Sequence, residues 1–333
     1  MSYSFGLMTT QQPFLTLSPI LIRLPNWVGD VCMCLPVIAR LQALGIEISI
    51  CARPWAKDPL AGMAIDSFIP VTGKFAKDLK TLRAWHQAHP KYEKALLLPD
   101  SLSSALLFKL AGLRSAGYKD DGRSLLLSWA FKKPQPRPHA AQSWFNLSEQ
   151  ALKDWKLIKE AQEIPFHLDL PLTPQHQQLA NQAIDHAGLT KGSFVLIAPT
   201  AIGLHKGQIK VWPHFDALTR HLQGLGLPVI MCPPPAEQVA ALVAAPTAQL
   251  IAPLGLGPFA ALTRQAKLVI CNDSGVSHIC AAAGANQLTL FGVTDPQRTG
   301  PWTPHSVNLG QNGHWPALQD VIERVQQLVS IQK

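Results

Sequence analysis

Short, uninterrupted apolar runs alternate with longer stretches that have helical periodicity along most of the chain. Such runs are typical of parallel strands that are buried on both faces. Polar turns separate each run from the helix that follows, which is the βα pattern of a parallel sheet. The predicted strands cover residues 20–24, 46–51, 67–71, 95–98, 114–118, 194–198, 228–232, 249–251, 268–271 and 287–291.

The alternation pauses at an extended, proline-containing segment, residues 164–174, and then restarts. A chain of 333 residues is long for a single hydrophobic core. We therefore predict an α/β protein of two Rossmann-like parallel-sheet domains, residues 18–165 and 172–312, which face a central cleft. Residues 313–333 include an amphipathic terminal helix, which we expect to pack back on the first domain.

The stretch 267–302 is the most informative part of the second half. Asn272, Asp273 and Ser274 end an apolar run and precede a helix that starts near Gly275. Ligands of open α/β sheets bind outside the carboxyl ends of the strands, and helix N-termini favour phosphate. The pattern therefore predicts an anion site at this edge of the second sheet.

The charge is distributed unevenly between the two halves. Residues 1–165 carry 20 Lys and Arg against 13 Asp and Glu, whereas residues 166–333 carry 9 against 8. The first half is therefore expected to face an anionic substrate, membrane or nucleic acid. Nucleic acid is the weakest of these partners, because the basic half lacks a recognition motif or interleaved aromatic residues.

Other compositional features narrow the class of protein. The chain is 47% hydrophobic and 15% charged, as globular proteins are. No apolar run is long enough to span a membrane, and residues 1–17 lack the pattern of a signal peptide, so we expect a cytoplasmic protein. The six cysteines lack paired zinc-ligand spacing and are expected to be buried, reduced thiols.

Several polar residues could carry chemistry, although each also has a purely structural reading. Asp30, after the first strand, could accept a proton or simply complement a helix dipole. Lys206 and Lys210 could hold a diphosphate or be solvated loop residues. Glu237 could bind ribose or only begin a helix, and His278 could contact a ligand or lie in the core.

Lys74, Lys77 and Lys80 recur every third residue on a predicted helix. A solvated face is their default interpretation, and contact with an anionic acceptor or membrane is the alternative. The glycine patterns of dinucleotide-binding and Walker sites are absent from the sequence.

Three motifs in register resemble glycosyltransferase family 9, the ADP-heptose:lipopolysaccharide heptosyltransferases. They are RLPNWVGD (23–30), Lys-x-Trp-Pro (210–213), and NDSGVSHICAAAG followed by LFGVTDPQRTGPW (272–302). The resemblance covers about residues 20–330. The NWVGD sequence resembles the heptosyltransferase II branch more than the heptosyltransferase I branch. It implies a GT-B fold and inverting transfer without a metal or a cofactor, with ADP-heptose as co-substrate.

The resemblance also implies roles for particular residues. Asp30 would be the general base, and Lys210 would neutralise the departing diphosphate. The segment 199–210 is about three residues longer than expected for the family, so Lys206 could take the place of Lys210. The implied donor-binding residues are Thr200, Ala201, Lys206, Lys210, Glu237, Asp273, Ser274, Gly275 and His278.

We therefore expect heptose transfer from ADP-heptose to the lipopolysaccharide inner core by a monomer at the inner face of the inner membrane. Lys74, Lys77 and Lys80 are candidate acceptor-binding residues, and no nucleic acid is expected to bind. The alternatives are a related enzyme that uses another nucleotide-sugar or acceptor, and a sugar-nucleotide-binding protein without turnover.

Overall fold

The computed structural model describes residues 17–120, 122–202, 204–205, 207–311 and 313–330. The expected leader lies almost entirely outside these residues. Two six-stranded sheets, each surrounded by helices, make up the core of the described chain. We call the part built on the first sheet the first domain and the part built on the second sheet the second domain.

The first sheet is parallel throughout, with strand order β3-β2-β1-β4-β5-β6. Its strands are β1 (Ile20–Arg23), β2 (Ile48–Ala52), β3 (Phe68–Pro70), β4 (Lys94–Leu97), β5 (Arg114–Tyr118) and β6 (Trp129–Phe131). The two central strands, β1 and β4, are almost completely buried, as their continuous apolar sequences predict.

A short antiparallel hairpin, β8 (Leu204–His205) with β9 (Gln208–Ile209), follows β7 (Val195–Ala198). β7 belongs to the second sheet, which is also parallel throughout, in the order β11-β10-β7-β12-β13-β14. Its other strands are β10 (Val229–Met231), β11 (Gln249–Leu250), β12 (Leu268–Asn272), β13 (Gln287–Leu290) and β14 (Ser306–Leu309).

Helices cover both sheets and join their strands. Those of the first domain are α1 (Val28–Met33), α2 (Leu35–Ala43), α3 (Phe75–Ala88), α4 (Leu102–Leu110) and α5 (Ala140–Asp154). Those of the second are α6 (Pro174–His186), α7 (Phe215–Gly224), α8 (Gln238–Ala244), α9 (Leu256–Gln265), α10 (Gly275–Ala283), α11 (Pro296–Thr299) and α12 (Leu318–Ser330). Short 3-10 helices lie at Pro54–Lys57, Pro59–Gly62, Arg123–Leu125 and Pro235–Glu237.

Each sheet has one point at which the strand order reverses direction. In the first sheet this point lies between β1 and β4, and in the second it lies between β7 and β12. Both sheets thus have the order of a doubly wound fold, which binds ligands outside the carboxyl ends of the strands at such a point. The segments that follow β1, β7 and β12 are the ones expected to bind a ligand.

The two domains meet through helices α1 and α10. A Cβ atom on Gly29 would lie 2.5 Å from Cδ2 of His278, and one on Gly275 would lie 3.1 Å from Cβ of Val28. Two glycines, one on each helix, therefore allow the helices to approach closely. A second contact joins the domains where Asp58 accepts a hydrogen bond of 2.9 Å from the backbone N–H of Gly257.

The C-terminal helix α12 packs on the second domain. Val321 and Val325 are buried in one apolar cluster with Leu218 and Leu222 of α7. Our expectation that this segment packs back on the first domain is therefore wrong. The helix is amphipathic, as expected, and its buried side faces α7.

Candidate active site

A cavity of about 900 Å³ lies between the two domains. The first domain lines it with residues 27–30 and Met33, which belong to α1 and the residue before it. The second domain contributes the segments that follow β7, β10, β12 and β13. This volume is within the range of small-molecule sites and large enough for a nucleotide-sugar.

Asp30 lies in the first turn of α1 and lines the cavity. Burial raises the pKa of its carboxyl group to about 6, because a carboxylate loses hydration there. Within the described part of the chain Asp30 forms no salt bridge that would offset this loss. At neutral pH the group is still mostly ionised, so it is a stronger proton acceptor than an exposed aspartate.

Lys210 reaches the same cavity from the second domain. Its Nζ donates a hydrogen bond of 3.0 Å to Oδ2 of Asp273, which is 5% exposed. The hydroxyl group of Thr294 donates to the same carboxylate oxygen. Asp273 thus positions the ammonium group at the cavity wall, and Thr294, which sequence reasoning missed, positions Asp273.

A buried asparagine holds the Lys-x-Trp-Pro segment against the sheet. Oδ1 of Asn272 accepts a hydrogen bond of 2.9 Å from the backbone N–H of Trp212, and its Nδ2 donates to the carbonyl oxygen of Ala198 at 3.3 Å. The indole of Trp212 is buried, and its Nε1 donates to the carbonyl oxygen of Pro316 at 2.9 Å. The spacing in this motif therefore fixes Lys210 next to the ends of β7 and β12.

The N-terminus of α10 forms another part of the wall. The side chain of Ser274 accepts a hydrogen bond from the N–H of Val276 and so caps the helix. Ser274, Gly275 and Val276 all line the cavity. Backbone N–H groups in a first helical turn favour anions. The anion site expected at this stretch stays a prediction.

His278 lies one turn further along α10 and is 5% exposed. Burial lowers the pKa of its imidazole to about 4, so the ring is neutral at physiological pH. Its Nδ1 is buried without a hydrogen-bond partner among the described residues. A buried, unpaired ring nitrogen at a cavity wall is available to a ligand.

Of the remaining residues predicted to bind the donor, some line the cavity and one lies outside the described residues. Thr200 and Ala201, after β7, and Glu237, in the 3-10 helix after β10, line the cavity. Lys206 lies outside the described residues. The segment 199–210 contains the hairpin β8–β9, and its extra length relative to the family stays a prediction.

The candidate acceptor residues lie elsewhere. Lys74, Lys77 and Lys80 are exposed at the start of α3 and are not among the residues that line the cavity. A smaller cavity of about 160 Å³ adjoins the central one and shares Arg298 and Thr299 with it. The basic side chains Lys133, Arg137 and Arg298 line this smaller cavity, and sequence reasoning missed all three.

Two negative findings concern the part of the chain that the structure describes. It contains no group of three or more His, Cys, Asp or Glu side chains that could hold a metal ion. None of its helices is long and apolar enough to cross a membrane. All six cysteines are buried and unpaired, as expected.

Two parallel-sheet domains of identical strand order, with a ligand cavity between them, define the GT-B class of glycosyltransferases. Comparison with known proteins identifies the family. Residues 81–326 match the model of "Glycosyltransferase family 9 (heptosyltransferase)". The chain belongs to this family and is therefore a transferase, as the three sequence motifs predicted.

Individual relatives agree with this assignment. The chain is 28% identical over 305 residues to lipooligosaccharide heptosyltransferase 2 of Haemophilus influenzae, with 85% of each chain covered. Its fold matches that of Escherichia coli ADP-heptose lps heptosyltransferase II, with a TM-score of 0.75, 22% identity, and 94% and 99% of the two chains covered. A family 9 glycosyltransferase from Veillonella parvula gives a TM-score of 0.81 at 16% identity, with 95% and 98% covered. The predicted GT-B fold is confirmed.

Proposed function

We propose that this protein transfers L-glycero-D-manno-heptose from ADP-heptose to the inner core of lipopolysaccharide, with inversion at the anomeric carbon and without a metal ion. One observation carries the proposal: Asp30 of the first domain and Lys210 of the second line the same cavity. The names of the relatives support heptose as the sugar and lipopolysaccharide as the acceptor.

Asp30 is the general base of the proposed reaction. The carboxylate removes the proton of an acceptor hydroxyl group, and the oxygen forms a bond to the anomeric carbon of the heptose. The bond from that carbon to the β-phosphate oxygen breaks in the same displacement, and ADP leaves. The raised pKa of Asp30 favours this role, because a general base works best when its pKa is close to the working pH.

Lys210 and the N-terminus of α10 stabilise the departing diphosphate. Negative charge develops on the phosphate oxygens as the sugar leaves, and fixed cations and N–H groups at that point lower the barrier. The carboxylate of Asp273 accepts a hydrogen bond from Nζ of Lys210 and keeps the ammonium group in place. This is the charge neutralisation that a divalent metal supplies in other phosphate-transfer sites.

The smaller cavity is the proposed entrance of the acceptor. The inner core of lipopolysaccharide carries acid and phosphate groups, and Arg137 and Arg298 offer cations there. Lys133 lines the same cavity but forms a salt bridge of 2.7 Å with Asp100. Since Arg298 also lines the central cavity, an acceptor held in the smaller one can extend a hydroxyl group toward the donor. The reaction takes place at the inner face of the inner membrane, and the monomer remains our expectation.

A comparison of sugar nucleotides tests this proposal. ADP-heptose should raise the thermal unfolding midpoint more than UDP- or GDP-sugars do. NMR of the product should show an inverted anomeric linkage, and EDTA should leave the rate unchanged. A preference for UDP-sugars, a retained configuration or loss of activity in EDTA would each refute the corresponding part of the proposal.

A further inference from the structure

Helix α4 exposes a row of leucines on the outer face of the first domain. Leu102, Leu106 and Leu110 are spaced four residues apart, and 51%, 36% and 44% of their respective surfaces are exposed. Ala105 and Phe108, on the other side of the helix, are buried in the core. A surface helix normally turns its apolar residues inward and presents polar ones to water. α4 is therefore apolar on both sides.

Helix α3 packs beside α4 and contributes cations. Lys77, Lys80 and Arg83 are exposed and recur every three residues on α3. Nη2 of Arg83 donates a hydrogen bond of 2.8 Å to the carbonyl oxygen of Leu110, so the basic row begins at the end of the leucine row. We call these residues the α3–α4 surface: Lys77, Lys80, Arg83, Leu102, Leu106, Lys109 and Leu110.

No exposed acid interrupts this surface within the two helices, both of which are fully described. Their single acidic residue is Asp78, which is 4% exposed. Its carboxylate accepts hydrogen bonds from the backbone N–H groups of Thr72 and Gly73. The charge on the α3–α4 surface is therefore entirely positive, and its apolar part is a continuous row.

The α3–α4 surface extends toward the substrate cavities. Asp100 lies immediately before Ser101, the N-cap of α4, and lines the smaller cavity. Nη2 of Arg123 donates to the carboxylate of Asp100 at 3.1 Å, which anchors the turn that carries Leu125. Leu125 is 88% exposed. A further exposed leucine therefore lies on a segment anchored beside the N-terminus of α4, at the end of the domain where the smaller cavity opens.

We propose that the α3–α4 surface docks on an anionic phospholipid membrane. Leucines enter the boundary between headgroups and acyl chains, and the flanking lysines and arginine bind lipid phosphates. Docking on this face keeps the smaller cavity close to the bilayer. Only the expected benefit of docking for heptose transfer rests on the proposed function. Binding to the lipid itself requires no sugar nucleotide.

Vesicle flotation of the full-length protein tests the proposal. The protein should bind vesicles of phosphatidylcholine mixed with phosphatidylglycerol, bind phosphatidylcholine alone weakly, and detach as salt is raised. The variant Leu102→Ser/Leu106→Ser/Leu110→Ser should bind at least ~10-fold more weakly. The variant Lys77→Gln/Lys80→Gln should lose on the order of 20-fold, since each cation near such a surface contributes about fivefold.

Val239→Ser/Val243→Ser is the matched control. These valines are 77% and 79% exposed on α8 of the second domain, so this variant should bind vesicles as the wild type does. Should the leucine variant fail to fold, the lysine variant, which alters only exposed side chains, decides the question.

Three results would overturn the proposal. The first is that the wild type binds anionic and neutral vesicles equally well. The second is that the wild type and both surface variants bind vesicles equally well. The third is that the wild type sediments as a dimer and the leucine variant does not. Because no sugar nucleotide is present, failure here is distinguishable from failure of heptose transfer.

Discussion

Gly29 lies directly against the imidazole of His278 across the domain interface. A Cβ atom at position 29 would come within 2.5 Å of Cδ2 of the ring, closer than such atoms approach in proteins. The residue after Gly29 is the proposed base, and the ring lines the donor side of the cavity. The contact therefore sets the distance between the part of the site proposed to activate the acceptor and the part proposed to hold the donor.

Gly29→Ala should lower kcat/KM for transfer by at least ~10-fold, because the methyl group must displace either α1 or His278. Displacements of about 1 Å can cost up to about 100-fold in rate. Gly224→Ala is the control, since a Cβ atom there would meet nothing within 4 Å. Steady-state kinetics of both variants check the prediction, and equal rates would show that the contact has no catalytic importance.

Lys210→Gln should reduce kcat by about 100-fold or more, which is typical when a donor that stabilises developing charge is removed. Thr294→Val should have a smaller effect in the same direction, because Asp273 then loses one of the hydrogen bonds that position it for Lys210.

The matched control for Thr294→Val is Thr219→Val. Thr219 is also buried, but its hydroxyl group has no hydrogen-bond partner among the described residues. We expect normal turnover and ADP affinity in that variant. If Thr294→Val lowers kcat no more than Thr219→Val does, Thr294 does not contribute to the active site.

The pH dependence of kcat/KM should reflect Asp30. Its pKa is about 6, and only the ionised carboxylate can accept a proton, so the rate should fall about tenfold per pH unit below 6. His278, with a pKa of about 4, remains neutral over this range and adds no second limb. A pH–rate profile between pH 5 and 8 measures this, and a flat profile would contradict the assignment.

Asp30 should also reduce the stability of the protein. Its pKa is raised from about 3.8 to about 6 on folding, so the native state binds more protons than the unfolded state between these values. Stability is therefore lost as the pH rises from about 4 to about 6 and stays lower above that. Asp30→Asn should raise the free energy of unfolding at pH 7 to 8 by about 1–3 kcal/mol. Denaturant titration checks this, and a destabilised variant would contradict the burial argument.

The sequence predicted the central strands of both sheets and one edge strand of each, β3 and β11, but not the opposite edge strands. β5 was predicted with its exact bounds, whereas β6 and β14 were missed. β14 is Ser-Val-Asn-Leu and is paired on only one side. Edge strands bury less surface and tolerate polar residues, so they lack the continuous apolar run that identifies a central strand.

The site was only partly predictable, for a related reason. Asp30 and Asp273 follow buried strands, so their position at the carboxyl ends of the sheets could be read from the pattern. The roles of Thr294 and Arg298 depend on where the loop after β13 folds, and no local spacing specifies that. Likewise, the amphipathic pattern of α12 indicates a buried face but not which domain covers it.

The central claim is that Asp30 activates the acceptor while the second domain binds the donor. Measuring ADP-heptose affinity and the rate of heptose transfer in Asp30→Asn tests it most directly. The account predicts affinity close to that of the wild type and a transfer rate lower by at least ~100-fold. Transfer at a near-normal rate, or loss of donor binding equal to the loss of rate, would contradict it.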